Sequence, residues 1–403
     1  MLAAAAALVN ETLEKEPLIF LTVLNMLVAL FLLVLLVIAI SNLFVLRSLK
    51  DYKKCRQPPF VSVLVPARNE EENIGNCVTA LLSQDYPYFQ VIVVDDNSTD
   101  RTWEILQKLA SKDTRLKLLK GKPLPQDWLG KHWACHQLAQ TADGELLLFV
   151  DADTTYQPDM LRYAAGAIIA EKADLISALP RQIVVTWSEL LSVPAFYFGI
   201  LCGIPLGLTN RQRNPLLLAV LGQFLLFRRE AYTAVGGYAG VRQNVVDDLA
   251  IGRKVLGMRF AYSLLDGNGQ VSCRMYRNFH QTWTGLTKST FASFNFDPFL
   301  LIFMQLIVLL LFVEPLIVFI MGLVQPFPFD ITAMAGLGVS LSLLLFGISH
   351  HRFQFPLYLV FLYPVSAIFM VVIAIASMVL TMQGKAKWKD RSMPKRQSHH
   401  SVV

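Results

Sequence analysis

Long uncharged apolar stretches lie at the two ends of the chain, with a mixed polar and apolar region between them. Residues 18–40 contain no charged side chain and are long enough to cross about 30 Å of hydrocarbon. They predict a transmembrane helix that follows a short segment, 1–17. Residues 299–382 predict two to three further membrane spans, within the apolar stretches 299–324, 331–348 and 356–382.

The middle region, residues 58–290, alternates strand patterns with helix patterns. The first helix is predicted to begin with a capping box of Asn69 and Glu72. Two further helices are predicted to begin near Arg101 and near Lys131. This βαβαβ order predicts an α/β domain with a doubly wound parallel sheet, which binds ligands beyond the carboxyl ends of its strands. The predicted strands are 60–65, 90–94, 116–119, 145–150 and 223–227.

A further apolar stretch, residues 187–208, lies inside the middle region. It contains Pro194, Pro205 and three glycines, together with aromatic residues. Because these breakers suit a membrane span poorly, the stretch predicts a helix that lies in the membrane interface.

Charge next to the apolar stretches predicts the orientation in the membrane. Basic residues follow the first span, and the positive-inside rule then places the middle region in the cytoplasm. The tail, 383–403, is also basic, yet three spans after a cytoplasmic domain would leave it outside. Either the tail breaks the rule, or the segment containing Pro364 or the one containing Glu314-Pro315 does not cross. The basic residues after the first span are Arg47, Lys50, Lys53, Lys54 and Arg56.

Composition excludes several classes of function. The chain is 54% hydrophobic with a net charge of +6, and its positive charge is mostly a topology signal. The middle region has no basic face with interleaved aromatics, which argues against a nucleic-acid partner. Five scattered cysteines without a Cys-x-x-Cys pair suggest neither zinc nor disulfides. No Gly-x-Gly-x-x-Gly follows a strand and no Walker loop is present, which argues against nicotinamide and ATPase chemistry.

Two carboxylates, Asp151 and Asp153, follow the apolar strand 145–150 at a spacing of two residues. Hard cations such as Mg²⁺ and Mn²⁺ take oxygen ligands and often use one or two carboxylates together with substrate phosphates. The pair therefore predicts a metal site for a nucleotide diphosphate. The alternative is that Asp153 is a turn residue and that Asp159 begins the next helix.

Two other acidic pairs lie at predicted ends of strands or helices. Asp95 and Asp96 follow the second strand, where a carboxylate can accept hydrogen bonds from a nucleoside, although helix capping is the alternative. Asp247 and Asp248 open a predicted helix, whose dipole alone would favour acids there. A transferase also needs a general base for the acceptor hydroxyl, and Asp248 is the candidate, with Asp247 orienting the loop.

Several cationic and aromatic residues are candidates for holding phosphates or the acceptor. Lys131 follows Trp128-Leu-Gly and is placed to neutralise a diphosphate, or else is a solvated lysine beside a packed tryptophan. A second set follows the last predicted strand, and binding to anionic lipid is its competing explanation. That set is Arg274, Tyr276, Trp283 and Lys288.

Four motifs in their order along the chain resemble the membrane-bound glycosyltransferases of family 2. They are Val65-Pro-Ala-Arg-Asn-Glu70, Val94-Asp-Asp-Asn-Ser-Thr-Asp100, Asp151-Ala-Asp153 and Val246-Asp-Asp248. Further short sequence motifs resemble those of the subgroup that glycosylates carotenoids, hopanoids and ceramide-like lipids. These are Trp128-Leu-Gly-Lys131, Phe227-Arg-Arg-Glu-Ala-Tyr232, Val235-Gly-Gly-Tyr238, Arg274-Met-Tyr-Arg-Asn278 and Trp388-Lys-Asp-Arg391, where Asp390 replaces a glycine.

The resemblance implies the GT-A fold of nucleotide-diphospho-sugar transferases, with transmembrane helices at both ends. It implies inversion at the anomeric carbon, with Asp248 as base and Asp151 and Asp153 on Mg²⁺ or Mn²⁺. It also implies that the nucleotide-diphosphate-sugar contacts Pro66, Arg68, Glu70, Asp95, Asp96, Lys131 and Asp151. The Gln-x-x-Arg-Trp motif of the polymer synthases is absent, which leaves open the residues that hold the leaving diphosphate.

Together these features predict an integral membrane enzyme, in a bacterial plasma membrane, that moves one sugar to a membrane lipid such as a carotenoid or another polyisoprenoid. Two alternatives remain. One is a processive polysaccharide synthase, and the other is a non-catalytic membrane protein that only binds a nucleotide-sugar.

Overall fold

The computed structural model describes residues 2–53, 55, 57–212, 217–324, 327–385, 387–388 and 391–392. The basic residues Lys54 and Arg56 and most of the tail lie outside this part of the chain. The strands are β1 Val61–Ala67, β2 Phe89–Asp95, β3 Leu116–Lys120, β4 Leu146–Val150, β5 Thr154–Tyr156, β6 Leu175–Leu179, β7 Arg181–Gln182, β8 Phe224–Arg228, β9 Tyr262–Asp266, β10 Val271–Cys273, β11 Lys387–Trp388 and β12 Arg391–Ser392.

Fourteen α-helices accompany these strands in the described residues. They are α1 Leu2–Val45, α2 Ile74–Leu82, α3 Thr102–Ala110, α4 Gly130–Thr141, α5 Met160–Ala170, α6 Trp187–Gly203, α7 Leu206–Gln212, α8 Arg229–Ala234, α9 Asp247–Gly257, α10 Phe279–Ser293, α11 Pro298–Phe312, α12 Glu314–Val324, α13 Phe329–Phe353 and α14 Tyr363–Met382.

The main sheet has seven strands in the order β3-β2-β1-β4-β8-β6-β9. The first four are parallel, as the βαβαβ pattern predicted, and all five predicted strands are present. Their side chains alternate between two cores, with Phe149 in the core on one face and Leu148 in the core on the other. Burial on both faces explains why these strands are apolar throughout and not alternately polar.

The prediction of an all-parallel sheet is wrong at β8, which runs antiparallel to both β4 and β6. Phe224 at the start of β8 pairs with Val150 at the end of β4. After α6 and α7, the chain re-enters the sheet at the carboxyl end of β4. Strand β8 therefore runs along β4 in the opposite direction. A second sheet has three strands in the order β5-β10-β7, and β5 directly follows the segment that contains Asp151 and Asp153.

The predicted capping box of Asn69 and Glu72 is also wrong. Helix α2 begins at Ile74, and its N-cap residue Asn73 makes no side-chain capping bond. Asn69 instead has a positive φ of 52°, and its side-chain oxygen accepts a hydrogen bond from the Thr99 backbone N–H at 2.8 Å. The residue joins two loops at the carboxyl edge of the sheet.

Four helical segments of the described residues are long and apolar enough to cross a membrane, judged by length and composition. They are 17–45, 298–324, 329–353 and 357–382. The second is interrupted between α11 and α12, where Pro315 follows Glu314 at the start of α12. A proline at this position removes a backbone donor and disfavours continuation of the preceding helix.

Helix α10 lies along the α/β domain over its whole length. Near its start the hydroxyls of Thr282 and Ser188 are 3.1 Å apart, and just beyond its end Asn295 accepts a hydrogen bond from Arg253 at 3.1 Å. Its opposite face packs on α14, where the Phe291 backbone N–H donates to the Ser377 hydroxyl at 2.9 Å. Helix α10 therefore forms a layer between the α/β domain and α14.

Candidate active site

The two acids predicted to follow β4 lie in the turn between β4 and β5. Strand β4 ends at Val150 and β5 begins at Thr154, so both Asp151 and Asp153 are turn residues, as the alternative interpretation held for Asp153. The Thr154 hydroxyl donates to the Asp151 backbone carbonyl at 2.5 Å. This bond holds the turn so that both carboxylates remain at the carboxyl edge of the sheet.

Lys131 lies at the centre of the acidic cluster. It is in the first turn of α4, and its Nζ is 2.7 Å from Asp151 Oδ1 and 3.9 Å from Asp247 Oδ2. These carboxylates hold the pKa of Lys131 well above its usual range, although burial acts to lower it. A charged lysine at this point links the turn after β4 to the start of α9.

Asp248 is the acid of the cluster whose pKa is raised. It accepts hydrogen bonds from its neighbour Leu249 N–H at 2.8 Å and from the Gly222 N–H at 2.9 Å. Burial and the adjacent carboxylate of Asp247 raise its pKa to about 6, against a usual value near 4. A carboxylate with this pKa is mostly ionised at neutral pH and is a better proton acceptor than an ordinary aspartate.

The pKa of Asp247 is shifted in the opposite direction. Burial acts to raise its pKa, but Lys131, His132 and Lys288 outweigh burial and lower it. The two adjacent acids at the start of α9 therefore differ in pKa, and the acid with the higher pKa is the better proton acceptor. His132 is buried near Asp247 and forms a hydrogen bond with the Asn244 carbonyl at 2.9 Å.

Lys288 approaches the same acids from α10. Burial lowers its pKa, and the carboxylates of Asp247, Asp248 and Asp151 oppose that effect. Lys288 is thus the residue of the predicted cationic and aromatic set that the structure brings beside the acids. It belongs to the helix that separates the α/β domain from α14.

The other three members of that set lie further from the acids of α9. Arg274 forms an ion pair of 3.2 Å with Glu189, a buried acid of α6. Tyr276 packs its ring on Gly285 of α10, and burial and the carboxylate of Asp153 raise its pKa. Trp283 packs on Phe279 with ring centroids 5.7 Å apart. These residues connect α6, β10 and α10.

The residues predicted to hold the nucleotide line the loops after β1 and β2. Pro66 lies in β1, and Arg68 donates to the Asp96 backbone carbonyl at 2.7 Å. Glu70 accepts a hydrogen bond from Asn73 at 2.9 Å. Asp95 is fully buried, and its carboxylate pairs with Lys120 at 2.8 Å and accepts the Ser98 N–H at 3.2 Å. The buried Asp95 carboxylate therefore stabilises the conformation of the loop after β2.

The donor set suits a hard divalent cation. The Cys77 pKa is raised by burial and by the carboxylates of Asp153, Glu70 and Asp151, which places these acids around one buried thiol. The described residues contain no group of three His, Cys, Asp or Glu side chains arranged to hold a metal. Two carboxylates that share the remaining positions with diphosphate oxygens fit Mg²⁺ or Mn²⁺, which need no full protein cage.

Three structural contributors escaped the prediction from sequence. Gly222 gives its N–H to Asp248, Lys120 neutralises Asp95, and Glu189 pairs with Arg274. Lys120 also lies 3.7 Å above the ring of Trp103. A lysine at the end of a strand next to an acidic strand end was a usable signal for Lys120. Gly222 and Glu189 carry no such signal, because no local pattern around either residue points to its partner.

Comparison with known proteins gives consistent matches for the α/β region. Residues 62–236 match the family model described as Glycosyl transferase family 2. Beta-monoglucosyldiacylglycerol synthase of Nostoc sp. is 31% identical over 198 residues, which are 47% of this chain and 40% of that protein. The 4,4'-diaponeurosporenoate glycosyltransferase of Staphylococcus haemolyticus is 26% identical over 221 residues, 54% of this chain and 56% of that protein. The chain thus matches about half of the length of these relatives.

A solved structure shares the fold. The mannosyltransferase PcManGT from Pyrobaculum calidifontis, in complex with GDP-Man and Mn²⁺, has a TM-score of 0.50 and 16% identity, covering 89% of this chain and 98% of that one. At this identity the likeness concerns the fold alone. The family and fold class predicted from the sequence are confirmed: residues 62–236 form a glycosyl transferase family 2 domain with the GT-A fold.

Proposed function

We propose that this chain is an inverting glycosyltransferase that moves one sugar from a nucleotide-diphosphate-sugar to the hydroxyl or carboxyl group of a membrane lipid. The observation that carries the proposal is the convergence of Asp151, Lys131, Asp247 and Asp248 on the carboxyl edge of the sheet. The apolar helices packed against the same domain give a lipid acceptor access from the bilayer.

Asp248 is the general base in this proposal. Its carboxylate accepts the proton of the acceptor hydroxyl as that oxygen attacks the anomeric carbon, and the bond from that carbon to the diphosphate oxygen breaks with inversion. The backbone N–H groups of Gly222 and Leu249 hold the carboxylate in place. Asp247 remains ionised and supplies the negative charge that raises the pKa of its neighbour.

The leaving diphosphate needs positive charge, and two lysines are available. Lys288 reaches the site from α10, and Lys131 is already held between Asp151 and Asp247. A divalent ion held by Asp151 and Asp153 would supply additional charge neutralisation for the diphosphate. We assign Lys288 to the leaving group, in place of the absent Gln-x-x-Arg-Trp motif. The remaining predicted donor contacts are Pro66, Arg68, Glu70, Asp95 and Asp96.

Relatives support a lipid acceptor. The names of two of them refer to a monoglucosyldiacylglycerol and to diaponeurosporenoate, and both come from bacteria. We therefore propose a bacterial plasma membrane location with the GT-A domain on the cytoplasmic side, as the basic residues after the first span predict.

Contacts at both ends of α14 support a specific topology, in which α14 does not cross the membrane. Helix α13 ends on the GT-A domain, where Arg352 pairs with Asp266 and Phe353 packs on Tyr197 at 4.8 Å. After α14, the backbone of strand β11 lies next to α10, which itself lies on the GT-A domain. Helix α14 thus begins and ends on the same side. This topology has three crossings and keeps the basic tail on the cytoplasmic side, as the positive-inside rule requires.

Lipid analysis of cells with and without the chain tests the function. Mass spectrometry of the pigmented and polyisoprenoid lipids, and of the diacylglycerol lipids, should show one lipid that loses a hexose or deoxyhexose mass when the chain is absent. Asp248→Asn should fail to restore it, because the variant lacks the base, and transfer should fall by about 10²–10⁴-fold. Binding of the donor should persist.

Asp143→Asn is the matched control, since Asp143 is an exposed acid paired with Lys117 outside the site. It should restore the glycolipid fully. An altered extracellular polymer with unchanged lipids would instead support a processive polysaccharide synthase. Full restoration of the glycolipid by Asp248→Asn would exclude the assigned base and support a non-catalytic protein that only binds the nucleotide-sugar.

A further inference from the structure

Four large apolar side chains at the start of α6 and α10 are exposed, although they belong to the GT-A side of the molecule. Ile183 and Val185 lie between β7 and α6, and Trp187 and Phe279 are the first residues of α6 and α10. Their exposed fractions are 46%, 58%, 56% and 43%, respectively. We call these four residues the apolar strip. Contiguous exposed apolar surface of this kind marks an interaction site.

One end of the apolar strip is continuous with the membrane helices. The rings of Trp187 and Phe279 stack with centroids 5.2 Å apart and an interplanar angle of 18°. The Trp187 ring is also 5.6 Å from that of Phe369 on α14, one of the segments apolar enough for a bilayer. A molecule dissolved in the bilayer beside α14 therefore reaches the strip without crossing polar surface.

The other end of the apolar strip lies beside the acids. The Ile183 N–H donates to the Cys273 carbonyl at 2.8 Å, and the Cys273 thiol is buried next to the carboxylates of Asp153 and Asp151. Helix α10 leads from the strip to the site as well, because Lys288 lies nine residues after Phe279, about 14 Å along the helix axis. This distance is shorter than a long lipid chain.

The strip is held rigidly in place. Glu189 accepts a hydrogen bond from the Val185 N–H at 2.7 Å and pairs with Arg274 at 3.2 Å. The bond between Ser188 and Thr282 ties α6 to α10 directly behind Trp187. These contacts give the pair of buried Glu189 and partly exposed Arg274 a positioning role. The fixed aromatic rings offer contact area at little cost in conformational entropy.

We propose that the apolar strip binds the hydrocarbon part of the lipid acceptor and guides its reactive group from the bilayer to Asp248. The inference rests on the proposed function and goes further by naming the acceptor-binding surface. The occupant is a membrane lipid with a long hydrocarbon chain, because the strip joins a membrane-facing helix to the acids and carries no charge of its own.

Transfer kinetics in phosphatidylcholine nanodiscs test the proposal. A lipid extract from cells that lack this chain serves as acceptor, and two variants, Trp187→Ala and Phe279→Ala, are compared with the wild type. The amount of extract that gives half-maximal transfer should rise about fivefold, which corresponds to the loss of one aromatic contact of about 1 kcal/mol. The KM for the donor and the hydrolysis of the donor by water should stay unchanged.

Phe361→Ala is the matched control, because Phe361 is 75% exposed on the segment before α14 and lies outside the strip. Its acceptor dependence should equal that of the wild type. An equal rise in this control would mean general anchoring to the bilayer and would overturn the proposal, as would unchanged acceptor dependence in both strip variants. If the wild-type protein transfers no sugar to any lipid of the extract, the proposed function itself is refuted. The wild type is measured before the variants, so this failure is distinguished from a failure of the strip proposal.

Discussion

Two adjacent aspartates of the same chemical type have pKa values shifted in opposite directions. Asp248 is partly buried next to a carboxylate and accepts two backbone N–H bonds, and its pKa rises to about 6. Asp247 faces Lys131 and Lys288, and its pKa falls. A sequence shows only Asp-Asp, whereas the cations that separate the two come from α4 and α10. The distinction between base and anion is thus a tertiary property of the site.

The pH dependence of transfer follows from this arrangement. Asp248 must be deprotonated to act as a base, so kcat/KM should fall as the pH drops through about 6, in proportion to the fraction that becomes protonated. In Asp247→Asn the raising effect of the neighbouring charge is gone, so the acid limb should move to lower pH. Initial rates between pH 4.5 and 8 measure both. A limb that stays in place or moves upward in the variant would contradict the assignment.

Single polar residues also join whole elements of the structure. Asn42, near the end of α1, donates to the carbonyls of Leu201 and Ile204 at 2.8 and 2.6 Å and accepts the Leu206 N–H at 3.0 Å. One fully buried side chain thereby satisfies the backbone groups between α6 and α7. The junction is placed where the first membrane helix meets the predicted interfacial helices.

Loss of this junction should destabilise the packing of α6. Asn42→Leu leaves two carbonyls and one N–H without their partner in a buried place, and we expect a loss of about 1–3 kcal/mol in the free energy of unfolding. Unfolding by sodium dodecyl sulfate in mixed micelles measures it. Phe44→Leu is the control, because Phe44 is 81% exposed on the same helix. Equal midpoints for the two variants would rule out the role assigned to Asn42.

At the scale of the whole molecule, the packing of α10 and α14 is the basis of the topology that we propose. Helix α10 contacts the GT-A domain along one face and α14 along the other. The apolar side chains of α14 that remain exposed recur at helical spacing on one face, which suits a helix lying in the bilayer plane. They are Val365, Ile368, Val372, Ile375, Val379 and Met382.

Cysteine labelling measures the side of each segment. Ser401→Cys in the tail and Ser111→Cys in the GT-A domain should react with a membrane-impermeant maleimide only in inverted vesicles. Asp330→Cys, at the start of α13, should react only in intact cells, because that end of α13 lies across the membrane in the proposed topology. Labelling of the tail together with residue 330 would show that α14 crosses.

Local patterns predicted much of the fold. The apolar runs identified five strands, and the parallel direction of β1 to β4 followed from the alternation with helices, but β6 and β9 of the main sheet were not predicted. The sequence did not predict the features that depend on contacts between residues far apart in the chain. The capping box failed because Asn69 bonds to Thr99 in another loop, and the parallel sheet failed at β8 because the chain re-enters at the end of β4.

The sequence by itself determined the type and order of the elements, the apolar segments and the acidic residues after the strands, because hydrophobic periodicity and turn chemistry act between near neighbours in the chain. Only the tertiary structure decided which charges meet. It placed Lys131 between Asp151 and Asp247, brought Lys288 to Asp248, and laid α14 on α10. These outcomes depend on burial and on electrostatic interactions between residues far apart in the sequence, and such interactions leave no local pattern.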